Sequence, residues 1–432
     1  MLNQRRTLLR VAAYRRVARA WPGWMPRMSF APYQSAPRGD VLVCVFLRGA
    51  ADVLNMVVPH GEAAYYSARA ALAIPRPDDP RARADLRAID LDGFFGLHPA
   101  LAPLWPAWQA RQLAFVHACG APDESRSHFQ AMELMERGVD SAAGPASGWL
   151  GRHLGSLSTG TRSPLRAIGL GERVPRALLG PVPAAALRSI ADFHLGGDAR
   201  AAEQLRGALA ALYAGGDPLD TLGREALGLA ELIEQLDPLG YRPAADARYP
   251  EGDFGMGLRQ LAMLIKAEVG LEVACLDMGG WDTHVAQGGS QGWMAGLLAE
   301  LGAGLAALHA DLAAQADRLL VVVMSEFGRR VEENGGLGTD HGHGSMLLLL
   351  GGGVVGGRVY GRWPGLAPEQ LVGPGDLAVT TDYRDVLGEI VARRLNNPRL
   401  AEVFPGYTPR FLEVVHQRAA VAGSSHSRRS SP

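Results

Sequence analysis

Apolar and polar positions alternate along this chain in two rhythms. From Asp40 the run DVLVCVFL is continuously apolar and rich in β-branched residues, as in a strand covered on both faces of a parallel sheet. Similar runs recur at 113–117, 271–276, 319–324 and 346–350. Between them, apolar positions repeat at helical spacing over 254–268, 293–312 and 384–395. Strands alternating with amphipathic helices predict an α/β fold, a doubly wound and mostly parallel sheet.

The rhythm changes in segment 140–250, which is rich in Ala, Leu and Gly, has a helical region over 201–236, and carries little strand signal. It is expected to be a helical insertion or cap on a sheet domain spanning 39–415. Residues 1–38 are basic and contain Pro and Trp ahead of the first core-like segment. Residues 416–432 are small and polar, as expected of a disordered tail.

Composition narrows the class. With 432 residues, 47% hydrophobic and 20% charged, the chain is long and apolar enough for a large core. A formal net charge of -1 gives no reason to expect nucleic acid as a partner. No stretch approaches the roughly 18 uninterrupted apolar residues of a membrane-spanning segment. The three cysteines, Cys44, Cys119 and Cys275, cannot form a disulfide framework and match no zinc spacing. Lys266 is the only lysine, so a lysine-based mechanism has one candidate.

The segment Gln4-Arg5-Arg6-Thr7-Leu8-Leu9-Arg10 resembles a twin-arginine export signal, although Arg10, Arg15, Arg16 and Arg19 interrupt the apolar region such a signal needs. A working signal implies a periplasmic or exported protein; a non-functional one leaves it cytoplasmic.

Ligands of open α/β sheets bind beyond the carboxyl ends of the strands. The loop after DVLVCVFL carries Asp52, the loop after LEVACLD carries Asp282 and His284, and the strand LLVVVMS leads into Glu326, then Asp340, His341 and His343. Imidazoles and carboxylates together suit borderline divalent ions. Asp282 and His284, at i and i+2 of an extended loop, point the same way. Each residue alone has a plainer role: Asp52 as an N-cap, Glu326 as an ion-pair partner of Arg329 or Arg330, His341 or His343 as a loop histidine. Jointly, Asp52, Asp282, His284, Glu326, Asp340, His341 and His343 predict a metal site or a cluster of acids with raised pKa values. Zinc is the first choice of ion, with manganese or calcium as alternatives. Ser125 or Ser127, at the start of a helical pattern, would be the nucleophile, with Arg126 or His128 holding substrate oxygens. The competing role for either serine is a helix N-cap.

FLRGAADVLNMVVP, RSHFQAMELMERG, GGWDTH, SEFGRRVEENGGLGTDHGHG and GGGVVGGRVYGRWPGL closely resemble the bacterial domain-of-unknown-function 1501 family over about 40–410. That family is grouped by similarity with the alkaline phosphatase and sulfatase superfamily. The resemblance implies an alkaline phosphatase-like sheet domain with a one- or two-metal site for cleaving phosphate or sulfate esters. In this likeness Asp52 resembles the metal-binding Asp that ends the first strand, and Ser127, or Ser125, stands at the nucleophile's place. Asp282 and His284 resemble an Asp-and-His metal pair, though with a shorter gap than is usual there. Glu326 stands where an Asp-His pair is usual, with Phe327 replacing the His, so Asp340, His341 and His343 would supply the remaining ligands. The resemblance also allows a catalytically silent metal-binding or assembly protein of the same fold.

Overall fold

The computed structural model describes residues 40–157, 163–190, 199–236, 238, 240–244 and 246–418. The twin-arginine-like segment, and the tail from residue 419 on, lie outside the described residues. Within them the chain forms an α/β fold around a nine-stranded, mostly parallel sheet. Its strands are β1 (Val41–Leu47), β2 (Leu113–Gly120), β3 (Ala167–Leu170), β4 (Ala185–Ala186), β5 (Val273–Met278), β6 (Leu319–Ser325), β7 (Ser345–Leu350), β8 (Arg358–Tyr360) and β9 (Thr381–Asp382). The order across the sheet is β8-β2-β7-β6-β1-β5-β3-β4, with β9 also on β2. Only β7 runs antiparallel to its neighbours, β6 and β2.

The central strand shows why its sequence is apolar without interruption. Val41, Val43, Val45 and Leu47 face a core shared with helices Asp253–Lys266 and Trp293–Asp311. Leu42, Cys44 and Phe46 face a second core with helices Trp149–Ser156 and Tyr383–Arg393. Neither face meets water, so alternation disappears. Helix Trp293–Asp311 is the one described helix long and apolar enough, by composition, to cross a membrane. Its Leu298, Leu301, Leu305 and Leu308 are spent on the first core.

Segment 140–250 does more than cap the sheet. Its β3 pairs with β5, and β4 pairs with β3, extending the sheet at one edge. Helices Ala199–Leu212 and Pro218–Gln235 supply the expected helical part. At the other end of the domain, the chain stays tied in through Arg418, whose N–H donates to the Arg393 carbonyl and whose guanidinium pairs with Asp40.

Register sets up the site. Leu47 at the end of β1 lies opposite Met278 of β5 and Ser325 of β6, so three loops leave the sheet side by side. Because β7 is antiparallel, its start, Ser345, lies beside Cys119 near the end of β2. The loop entering β7 therefore reaches the same rim as the loops leaving β1, β2, β5 and β6.

Three buried histidines make the fold acid-sensitive. In His98 and His117 the Nδ1 accepts from a backbone N–H while Nε2 faces a carbonyl, Gly289 and Val57 respectively. The His153 Nδ1 lies 2.9 Å from the Asn397 amide. Each ring is thus held neutral, and burial pushes His98 and His117 down to about 4 and His153 down to about 3. The unfolded chain takes these protons first, near pH 6.5, so stability falls as the pH drops from 6.5 toward 4. Each histidine contributes a slope approaching about 1.4 kcal/mol per pH unit. Urea unfolding at pH 7 and pH 5 should show the loss, with one to three protons taken up on unfolding. Equal stability at both values would contradict this account.

Candidate metal centre

At this rim the chain brings together three imidazoles and a carboxylate from different loops. His128 opens helix His128–Arg137 after β2, Asp282 and His284 follow β5, and His341 lies in the loop before β7. His128, Asp282 and His341 offer ligand atoms that all lie within 4.8 Å of one another. The His341 Nε2 is 2.9 Å from the Nε2 of both His128 and His284. The Asp282 Oδ1 is 3.0 Å from His284 Nε2 and 3.1 Å from His341 Nε2, and its Oδ2 is 3.5 Å from His128 Nε2.

The other nitrogen of each ring is engaged, and this decides what the first nitrogen can do. His128 Nδ1 is 2.7 Å from the Glu326 Oε1, His284 Nδ1 is 3.2 Å from the Asp340 Oδ1, and His341 Nδ1 is 3.0 Å from the Arg126 carbonyl. Carboxylates and carbonyls only accept, so each Nδ1 carries the proton and donates. All three Nε2 lone pairs then point into the cluster, beside a carboxylate that also only accepts. One extra proton, on His128, would repair the His128–His341 contact but not the contact between His284 and His341. A single cation would serve several of them at once. This is the arrangement in which metal-bound histidines are held by outer carboxylates and carbonyls.

Electrostatics keep the carboxylates around the cluster ionised. Burial alone would raise the Asp282 pKa, but hydrogen bonding from the Arg329 guanidinium overcomes it and holds the carboxyl at about 2. Burial likewise opposes ionisation of Glu326, yet its hydrogen bonds from His128 and the Gly49 N–H keep it below the usual carboxylate range. Asp340 is lowered by the Asn334 amide. Burial lowers His341, whereas the Glu326 hydrogen bond raises His128. Of these three carboxylates only Asp282 has a direct guanidinium partner among the described residues, that of Arg329.

Arg329 also ties the loops together. Its buried guanidinium donates to the carbonyls of Gly49, Ala50, Trp281 and Thr339 and, at 2.7 Å, to the Asp282 Oδ1. The loops after β1 and β5 meet so closely that Gly49, at φ +120°, could not carry a Cβ, which would lie 2.5 Å from the Asp282 nitrogen. Phe327 stacks on His128, with centroids 5.0 Å apart, and walls the cluster from behind. Asp282 and His284 are about half-exposed, so the opening lies on their side.

Each residue singled out in the sequence now has a place. Asp282, His284 and His341 converge, and His128, expected beside the substrate oxygens, joins them as a ring of the cluster. Glu326 and Asp340 stand behind two of the rings. Asp52 is fully buried and bonded to Arg69 and Gln287, and His343 Nε2 faces the Ala121 carbonyl, so neither meets the cluster. The Arg126 side chain pairs with Asp376, and its carbonyl orients His341. Ser127 occupies the N-cap position without a side-chain cap bond, and the Ser125 hydroxyl accepts from the Ser127 N–H. Sequence reasoning passed over Arg329 as a partner of Asp282. The run EFGRR puts a neighbouring acid, Glu326, in view and gives no sign of one 47 residues away.

Residues 40–393 match a family model described as a protein of unknown function, DUF1501. No curated protein matches the chain in sequence.

Proposed function

We propose a function for this chain, which belongs to the DUF1501 family: a metal-dependent hydrolase of phosphate or sulfate esters, of the alkaline phosphatase and sulfatase kind. The observation that carries the reading is the meeting of three Nε2 atoms and the Asp282 carboxylate, with the Nδ1 of each ring already taken up by an outer acceptor. His128, His284, His341 and Asp282 are the residues that would hold a divalent ion, zinc first. Once bound, such an ion polarises an ester oxygen and acidifies water.

The chain's own groups do the rest. Glu326, Asp340 and the Arg126 carbonyl keep the rings in the Nδ1–H form, while Arg329 holds the Asp282 carboxylate ionised and in place. Phe327 keeps water from the rear of the cluster, leaving the Asp282 side open for an ester. A second reading, a metal-binding or assembly protein without turnover, draws on the serines: among the described residues neither the Ser125 nor the Ser127 hydroxyl is bonded to a base.

Assays of aryl phosphates and aryl sulfates separate the two. Hydrolysis should appear with zinc or manganese, fall by about two orders of magnitude or more on chelation, and return when the ion is restored. Protein that binds metal but stays inert with every ion and ester tried would remove the hydrolase and leave the silent binder.

A further inference from the structure

Ten large apolar side chains are exposed among the described residues, and the four most exposed belong to, or touch, the segments that build the metal centre. They are Phe129 at 86%, Val285 at 72%, Trp293 at 64% and Leu337 at 56%. Phe129 follows His128, and Val285 follows His284. The Trp293 indole donates to the Gly280 carbonyl, two residues before Asp282. Leu337 lies in the loop that leads to Asp340 and His341. Backbone bonds from Ala286 and Gln287 to the carbonyls of Gly336 and Leu337 fasten that loop to the one carrying His284.

Exposing one such side chain is ordinary; concentrating the most exposed ones beside a polar cluster is not. Leu337 adds an independent sign. Its φ is +58°, a left-handed conformation that costs a leucine energy and a glycine none, in a loop already containing Gly335, Gly336 and Gly338. At 56% exposure the fold gives this leucine little burial to offset that cost.

We propose that Phe129, Val285, Trp293 and Leu337 form a subsite for the apolar part of the substrate, an amphiphilic ester whose polar end sits at the metal centre. This rests on the hydrolase reading and names its substrate class. The neighbouring charges favour a single amphiphile over an anionic bilayer. Asp282 and Asp340 stand partly exposed at the opening; Arg329 is buried, Arg126 is paired with Asp376, and Arg330, near Asp340, is a single, partly buried cation. A bilayer-binding face would instead present free basic side chains.

The test is binding of the uncharged fluorophore N-phenyl-1-naphthylamine to the whole protein, with metal content measured on the same samples. Phe129→Ser combined with Leu337→Gly should weaken binding by about tenfold or more, while Leu205→Ser, an exposed leucine on helix Ala199–Leu212, should not change it. Leu337→Gly alone should weaken binding yet leave the melting temperature at or above that of the wild type. A leucine with a merely structural role would lower both. Unchanged binding in the double variant overturns the proposal. So does sedimentation of the wild type with phosphatidylcholine vesicles that these substitutions abolish, which would make the patch a membrane contact. None of the substituted residues is a candidate ligand, so protein that takes up neither zinc nor manganese but retains variant-sensitive binding would sink the hydrolase reading alone.

Discussion

Replacing His341 with alanine is expected to lower bound divalent metal to below about a tenth of the wild-type level, and Asp282→Ala should do the same. His341 Nε2 is the atom the others gather around, within 3.1 Å of His128, His284 and Asp282. Losing it removes a nitrogen ligand and the contact that links the remaining ones. Glu326→Gln should be milder, about 10- to 100-fold in affinity, because it weakens the bond that orients His128 without removing a ligand. His343→Ala should be neutral, since its ring faces the Ala121 carbonyl. Competition with a chromophoric chelator gives the affinities, elemental analysis the stoichiometry, and circular dichroism the check that each variant folds. Wild-type metal content in both His341→Ala and Asp282→Ala would remove the metal centre altogether.

How far the sequence could reach is set by how local each signal is. The strands β1, β5, β6 and β7 are legible because burial on both faces writes an unbroken apolar run. The direction of β7 is not, because an apolar run has no polarity; only its pairing with β2 and β6 shows it. The four-residue β3 and two-residue β4 are too short to leave a pattern. In the site, the i, i+2 spacing correctly placed Asp282 and His284 side by side, since an extended segment repeats every second residue. The same reasoning fails from Asp340 to His343. That loop is bent, with Arg329 bridged to His341 and Gly342 donating to the Gly328 carbonyl, so His341 faces the cluster while His343 turns to Ala121. Asp52 shows the same limit. Its place after a strand is readable, but its partners, Arg69 and Gln287, are fixed only by tertiary folding.

Asp52 therefore supports the second large expectation: Asp52→Ala should cost about 3–5 kcal/mol of stability and leave metal content unchanged. Its carboxylate and the Arg69 guanidinium are both wholly removed from water and lie 2.5 Å apart. Gln287 donates to the same oxygen, at 2.7 Å. Arg69 also donates to Asn55 and to the carbonyls of Arg330 and Val331, and Tyr65 donates to Asn55 from the other side. Such a pair adds little over a well-packed apolar substitute, but breaking it strands a charge in the core. Arg69→Ala should thus be at least as damaging as Asp52→Ala, since it also leaves two backbone carbonyls without a donor. Asp52→Leu combined with Arg69→Met should recover part of the loss, because neither charge then remains buried alone. Were Asp52 a metal ligand instead, Asp52→Ala would deplete the ion and barely move the urea midpoint of the metal-free protein. Urea unfolding and elemental analysis of the same preparation distinguish the two.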